Sequence, residues 1–120
     1  MVFNKLAMLL FIDAYLDTYE VINSTVLDYH FGVKRSTFTS LINEYKSRRP
    51  SMIRHEFNAN GYVKSHIFER QFSPDTPSSA ILEAYHVFTG IPLKTVRQIK
   101  ETDPCDYPDL SPILNKSFVD

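Results

Sequence analysis

Between Asn23 and Pro50 two short stretches of apolar periodicity meet at one glycine, and this junction restricts the fold more than any other part of the chain. Asn23 and Ser24 are both capping candidates, because their side-chain oxygens can accept from the free amides of a following helical turn. The spacing predicts a helix over about Ser24 to His30, ended by Gly32, a residue free to adopt positive φ. Ser36 is a second capping candidate. A further helix is expected to run from there to about Ser47, with Phe38, Leu41, Ile42 and Tyr45 inward, and Pro50 prevents its continuation. Paired helices of this kind need apolar residues where they touch each other and the core, and a flexible residue at the turn. Leu27, Phe31, Val33, Phe38 and Leu41 stand at those spacings around Gly32, while Asp28 replaces the small residue usual after Leu27. The pattern is that of a helix-turn-helix.

The flanking sequence extends it. Asn4 to Thr18 reads as a first helix, with Leu6, Leu9, Leu10 and Leu16 at three- and four-residue spacing and Asp13 and Asp17 toward one side. Met52 to Phe57 and Tyr62 to His66 are two extended stretches around Asn58-Ala59-Asn60-Gly61, and Asn60-Gly61 predicts a type I′ hairpin turn. Ser73 to Pro77 is a break, after which Thr76 is expected to cap a helix with Pro77 in its first position. That helix carries Ala80, Ile81, Ala84, Tyr85 and Phe88 on one stripe and ends at Gly90. Pro92 to Glu101 fits either a short helix or a strand, and the tail with Pro104, Pro108 and Pro112 is expected to be irregular. The fold class expected is mainly α with a small β-hairpin: a winged helix-turn-helix over residues 1–72, then a C-terminal helix and tail over 73–120 as a dimerisation extension.

A chain of 120 residues supports one core and is short for two, and only three glycines argue against an all-β fold. Cys105 stands alone, so no internal disulfide can form. The apolar run Leu6 to Ile12 is short for a membrane span and lacks a basic leader and a cleavage site, so a cytoplasmic protein is expected. The net charge of −1 conceals a segregation. Residues 1–33 and 71–120 each balance at −3, whereas residues 34–70 set eight basic side chains against Glu44, Glu56 and Glu69, a balance of +5. A basic block of this kind is the footprint of a polyanion-binding surface.

The helix after Gly32 must present short polar or basic side chains if it is to enter a DNA major groove. Lys34, Arg35, Ser36, Thr37, Thr39, Ser40 and Asn43 supply that face. Arg35 suits a guanine edge and Asn43 an adenine edge, and Ser36, Thr37 and Ser40 suit phosphates. Lys46, Arg48 and Arg49 close the helix with positive charge, which equally suits interaction with its C-terminal dipole. Arg54, His55 and Lys64 on the hairpin can reach the backbone beside the groove.

Phe31-Gly32-Val33-Lys34-Arg35-Ser36-Thr37-Phe38-Thr39-Ser40, then Tyr45, the wing ending in Gly61-Tyr62-Val63, and Phe68-Glu69-Arg70-Gln71-Phe72-Ser73-Pro74-Asp75 together resemble the N-terminal winged-helix domain of WYL-domain transcriptional regulators, the repressors found beside bacterial defence operons. The resemblance covers about residues 5–90. It implies a homodimer that binds inverted-repeat operators in double-stranded DNA and represses transcription. The sequence stops at Asp120 without the sensor domain of those regulators, so a stand-alone regulator from a phage or mobile element is expected, with no small-molecule ligand and no cofactor.

Enzymatic activity is not expected. His30, His55, His66 and His86 with Cys105 lack metal-ligand spacing, and each histidine is expected at the surface or partly packed. The alternative function is a winged helix that grips protein instead of DNA, as an adaptor, antirepressor or inhibitor. For dimerisation, helix 77–89 with Ile81, Tyr85 and Phe88 is the favoured surface, and the N-terminal helix is expected in the core.

Overall fold

The computed structural model describes residues 4–108 and 110. Helix α1 spans Lys5–Tyr19, β1 Val21–Ile22, α2 Ser24–Phe31, α3 Arg35–Arg48, β2 Ile53–Glu56, β3 Gly61–Lys64, α4 Ser78–Thr89 and α5 Val96–Lys100. The three strands form an antiparallel sheet in the order β1-β3-β2. The fold is mainly helical with a β-hairpin wing, a winged helix-turn-helix followed by a C-terminal helix, as the sequence pattern predicts. Residues of the tail from Ser111 onward, Pro112 among them, lie outside the described residues.

Three of the five α-helices, α1, α2 and α5, begin at a side chain that accepts from their first amides. Asn4 caps α1 by accepting from Ala7 N–H at 2.8 Å, and Asn23, not Ser24, caps α2 by accepting from Val26 N–H at 3.1 Å. The Ser36 cap does not form: Lys34 holds the N-cap position of α3 without a side-chain bond, and Ser36 is the helix's second residue. Likewise Pro77 occupies the N-cap of α4, so neither the Thr76 cap nor Pro77 at the first position is found. Residues 92–101 resolve to a helix because Thr95 and Gln98 make a reciprocal capping box around α5.

Two glycines are demanded by their surroundings. Gly32 ends α2 at φ 68°, and a side chain there would also press on Leu110, whose Cδ1 would lie 2.8 Å from the added carbon. Gly61 serves a different purpose from the one its pairing with Asn60 suggests. The hairpin loop is the four residues 57–60, closed by Asn60 N–H donating to Phe57 O at 3.0 Å, and Asn60 alone takes positive φ. Gly61 is needed because β1 crosses beside it, so that a Cβ would collide with the Ile22 carbonyl oxygen. The strand responsible, β1, pairs Val21 with Val63 and Ile22 with Tyr62.

One core joins the head to the extension. Leu9, Ile12, Leu16, Ile22, Leu27, Ile42 and Tyr45 share it with Leu82, Ile91, Ile99 and Leu110. Helix α4 packs on α1 and α5 on α2. The stripe expected on α4 divides: Ile81 and Tyr85 turn toward the core, while Ala80, Ala84 and Phe88 are exposed.

Two buried polar centres hold these layers. Asp13 is fully buried on α1 and accepts from Tyr45 OH at 2.6 Å, Arg70 Nε at 2.7 Å and the amides of Gln71 and Phe72 at 2.9 Å each. Arg70 spends its remaining donors on Ser78 Oγ and on the carbonyls of Phe72, Ser73 and Thr76. Ser78 Oγ in turn donates to Asp17 Oδ2 at 2.6 Å. The strap leaving the wing is therefore tied at once to α1, to the inner face of α3 and to the start of α4. Burial and the adjoining Asp13 carboxylate push the Tyr45 hydroxyl well above the usual tyrosine range.

His30 forms the second centre and overturns the surface or partly packed placement, since it is wholly buried. Its Nδ1 lies 2.7 Å from Val26 O and must carry the proton, while Nε2 accepts from Lys94 N–H at 3.3 Å. Rings of Phe11, Tyr15, Tyr29 and Tyr85 surround it. Burial lowers its pKa to about 4, leaving a neutral imidazole that welds α2 to the chain before α5.

Candidate nucleic-acid interface

Helix α3 buries Phe38, Leu41, Ile42 and Tyr45, so its opposite side must face solvent. Ser36, Thr39, Ser40 and Asn43 are exposed there, with Lys34 and Arg35 at the amino end. Thr37 is half-buried on the flank it shares with Glu44, where Lys5 of α1 reaches that carboxylate at 2.8 Å. Thr39 donates its hydroxyl to Arg35 O at 3.0 Å, which leaves it acceptor capacity alone. Among the described residues, neither Lys34 nor Arg35 has a carboxylate within ion-pair distance.

The wing stands beside this helix end. Tyr62 on β3 meets Phe38 at 6.2 Å between ring centroids, and His55 on β2 lies edge-on to Tyr62 at 5.2 Å. The Lys46 ammonium sits 5.6 Å from the same ring. Between α2, α3 and the wing opens a polar groove of about 330 Å³, into which Arg35, Thr39 and His55 turn. With Phe38, Gly61 and Tyr62, the rest of its wall is Asn23, Ser24, Thr25 and Asn60. No sequence pattern marks these four as partners for a ligand. Asn23 and Ser24 carried the signal of a helix cap and Asn60 that of a turn, and nothing in spacing shows that β1 brings both beside the wing.

The thirteen side chains singled out from sequence thus separate into groups. Lys34, Arg35, Ser36, Thr39, Ser40, Asn43 and His55 lie along one rim of α3 and wing, with Lys46 held over Tyr62. Arg54 is exposed on β2 and pairs with Glu56 at 3.3 Å. The other cations have internal partners. Arg48 stacks on Phe72 at 4.9 Å, and Arg49 pairs with Glu69 at 3.0 Å. Lys64 turns away to the end of α1, donating to Asp17 O at 3.1 Å with its ammonium over the Phe68 ring.

Chemically, the rim offers guanidinium, ammonium, amide and hydroxyl groups around a solvent-filled groove, the donor set that phosphate oxygens and base edges require. Among the described residues no three of His, Cys, Asp and Glu converge as a metal site, and no helix is long and apolar enough to cross a membrane. No family model matches this chain, and no curated protein sequence matches it.

Proposed function

We propose that this chain binds double-stranded DNA sequence-specifically and regulates transcription in the cytoplasm, as a repressor acting as a homodimer on an inverted-repeat operator. The reading is that of the WYL-regulator winged-helix domains it resembles. The observation that carries it is the exposed positive charge of Lys34 and Arg35 at the amino end of α3, which among the described residues has no carboxylate within ion-pair distance. Arg35 lines the groove between α3 and the wing, and with Lys34 it lines a second hollow between α2 and α3 that Asp28 shares. In this arrangement α3 enters the major groove with Arg35 and Asn43 toward base edges. Lys34, Ser36, Ser40 and His55 take phosphates, Arg54 does so by giving up its exposed pair with Glu56, and Ser24, Thr25 and Asn60 add hydroxyl and amide groups beside them. Two heads on one operator read half-sites about 34–36 Å apart.

Titration of a random-sequence duplex at increasing salt tests the reading. Affinity is expected at low salt and falls linearly in log-log form, with about 0.9 counter-ions released per phosphate contacted. Undetectable binding at low salt, or binding indifferent to salt, contradicts it and favours a protein-gripping winged helix.

A further inference from the structure

Helix α4 buries one face and leaves an apolar one opposite. Ser78, Leu82 and, in part, Ile81 and Tyr85 turn toward α1 and the core. At 3.6 residues per turn, Ala80, Ala84 and Val87 fall on the side opposite Leu82, and Phe88 stands beside them. All four are exposed, Val87 at 73% and Phe88 at 67%. The outward stripe of a surface helix is ordinarily polar. Here α4 contains no lysine or arginine, and its one carboxylate, Glu83, borders the stripe beside Ala80 and Ala84. Phe88 also borders an apolar groove of about 250 Å³ between α1 and α4, lined by Ala7, Leu10, Phe31 and Ile81. Leu6, 62% exposed, stands one turn from Leu10 on the same side of α1.

We infer that this face pairs with its own copy, α4 against α4 in antiparallel orientation about a two-fold axis at Ala84. The inference rests on the homodimer proposed above and names the surface that makes it. A two-fold interface must be complementary to itself. Ala80 and Phe88 are each four residues from Ala84, so the axis sets each Phe88 over the other copy's Ala80, large side chain against small. Ala84 meets Ala84, where a methyl lets the helices approach closely. A charge on such an axis would meet itself; Ala84 holds the axis, and Glu83 stands about 100° round the helix from it. A surface without basic residues is also a poor fit for an anionic membrane.

The area sets the strength. The 12 residues of α4 run about 18 Å, and a patch of this kind presents roughly 400 Å² per copy. Two copies bury about 800 Å², under the roughly 1,200 Å² at which standard interfaces begin. The free protein therefore associates weakly, and two heads held on one operator associate strongly through effective concentration.

Cysteine pairing and sedimentation test this. In a Cys105→Ser background, which removes the exposed native thiol, oxidation of Ala84→Cys should give covalent dimer rapidly, and oxidation of Lys100→Cys, on an exposed position of α5, should not. Sedimentation of the unaltered chain should show a mass that rises with concentration, and Ala84→Glu or Ala80→Glu should return it to monomer without loss of helical circular dichroism. The inference is overturned if Ala84→Cys cross-links no faster than Lys100→Cys. It is also overturned if the chain stays monomeric at all concentrations and on an operator-length duplex. A dimer that both glutamate variants leave intact uses another face, which removes this inference and leaves the homodimer standing. Loss of the dimer in those variants, in a chain that binds no DNA, upholds the pairing and removes the DNA reading.

Discussion

The junction around Asp13 and the rim of α3 are both built on arginine, and they use it in opposite ways. Arg70 has a side chain only 10% exposed, and its guanidinium is bound to one carboxylate, one hydroxyl and three carbonyls. Arg35 is exposed, and among the described residues no carboxylate lies within ion-pair distance of it. A buried ion is tolerated only when its hydrogen bonds are satisfied inside the protein. A solvated one is under no such demand and remains available to a ligand. The same contrast separates Lys64, drawn to the end of α1, from Lys34, which has no such anchor. Charge that the fold consumes holds the molecule together, and charge that it leaves over stays solvated and free to meet a ligand.

Breaking the junction should have the largest effect. Asp13→Asn leaves the Arg70 charge buried without its partner and should destabilise the domain by about 3–5 kcal/mol in denaturant unfolding, whereas Arg35→Ala should change stability by less than about 0.5 kcal/mol. Comparable losses from the two would erase the distinction drawn between them.

His30 gives the junction side a pH signature. Its folded pKa lies near 4, below the 6.5 of an unfolded histidine. Above 6.5 both states are neutral and stability is at its full value. As pH falls from 6.5 toward 4 the unfolded chain takes up a proton that the folded one refuses, at a cost reaching on the order of 3 kcal/mol. Thermal melts between those limits should show the decline, and it should be much reduced in His30→Gln.

The rim has its own scale. Arg35→Ala should reduce discrimination between a preferred duplex and random DNA by about 1–3 kcal/mol. Arg54→Ala should weaken both duplexes alike and lower the salt slope by about 1. The smallest change on DNA is expected from Lys64→Ala, whose ammonium already lies on Asp17; its cost should appear in stability, at no more than about 1 kcal/mol.

How far the sequence reveals these two regions follows from what each is made of. The helix-turn-helix framework depends on local spacing, so Leu27, Gly32, Phe38 and Leu41 disclose it directly. The hairpin is visible for the same reason, but the role of its glycine is not: Gly61 answers to the Ile22 carbonyl, 39 positions earlier, on a strand too short at two residues to leave a periodic trace. Asp13 reads as an ordinary carboxylate on a helix, because its partners lie 32 to 59 positions further along. His30 gave no sign of burial, since the groups that satisfy it are its own helix and the amide of Lys94. On the rim, the exposed face of α3 was legible from periodicity. That Arg48, Arg49 and Lys64 are occupied depends on where Phe72, Glu69 and Asp17 come to rest, which no local pattern records.

Amide chemical shifts of the labelled protein, followed while a random-sequence duplex is added at low salt, test the central claim most directly. The account predicts movement at Ser24 and Thr25, along Lys34 to Asn43 and across the wing from Arg54 to Tyr62, with Asp13, Arg70 and His30 undisturbed. Shifts confined to α4, or none at all, would contradict it.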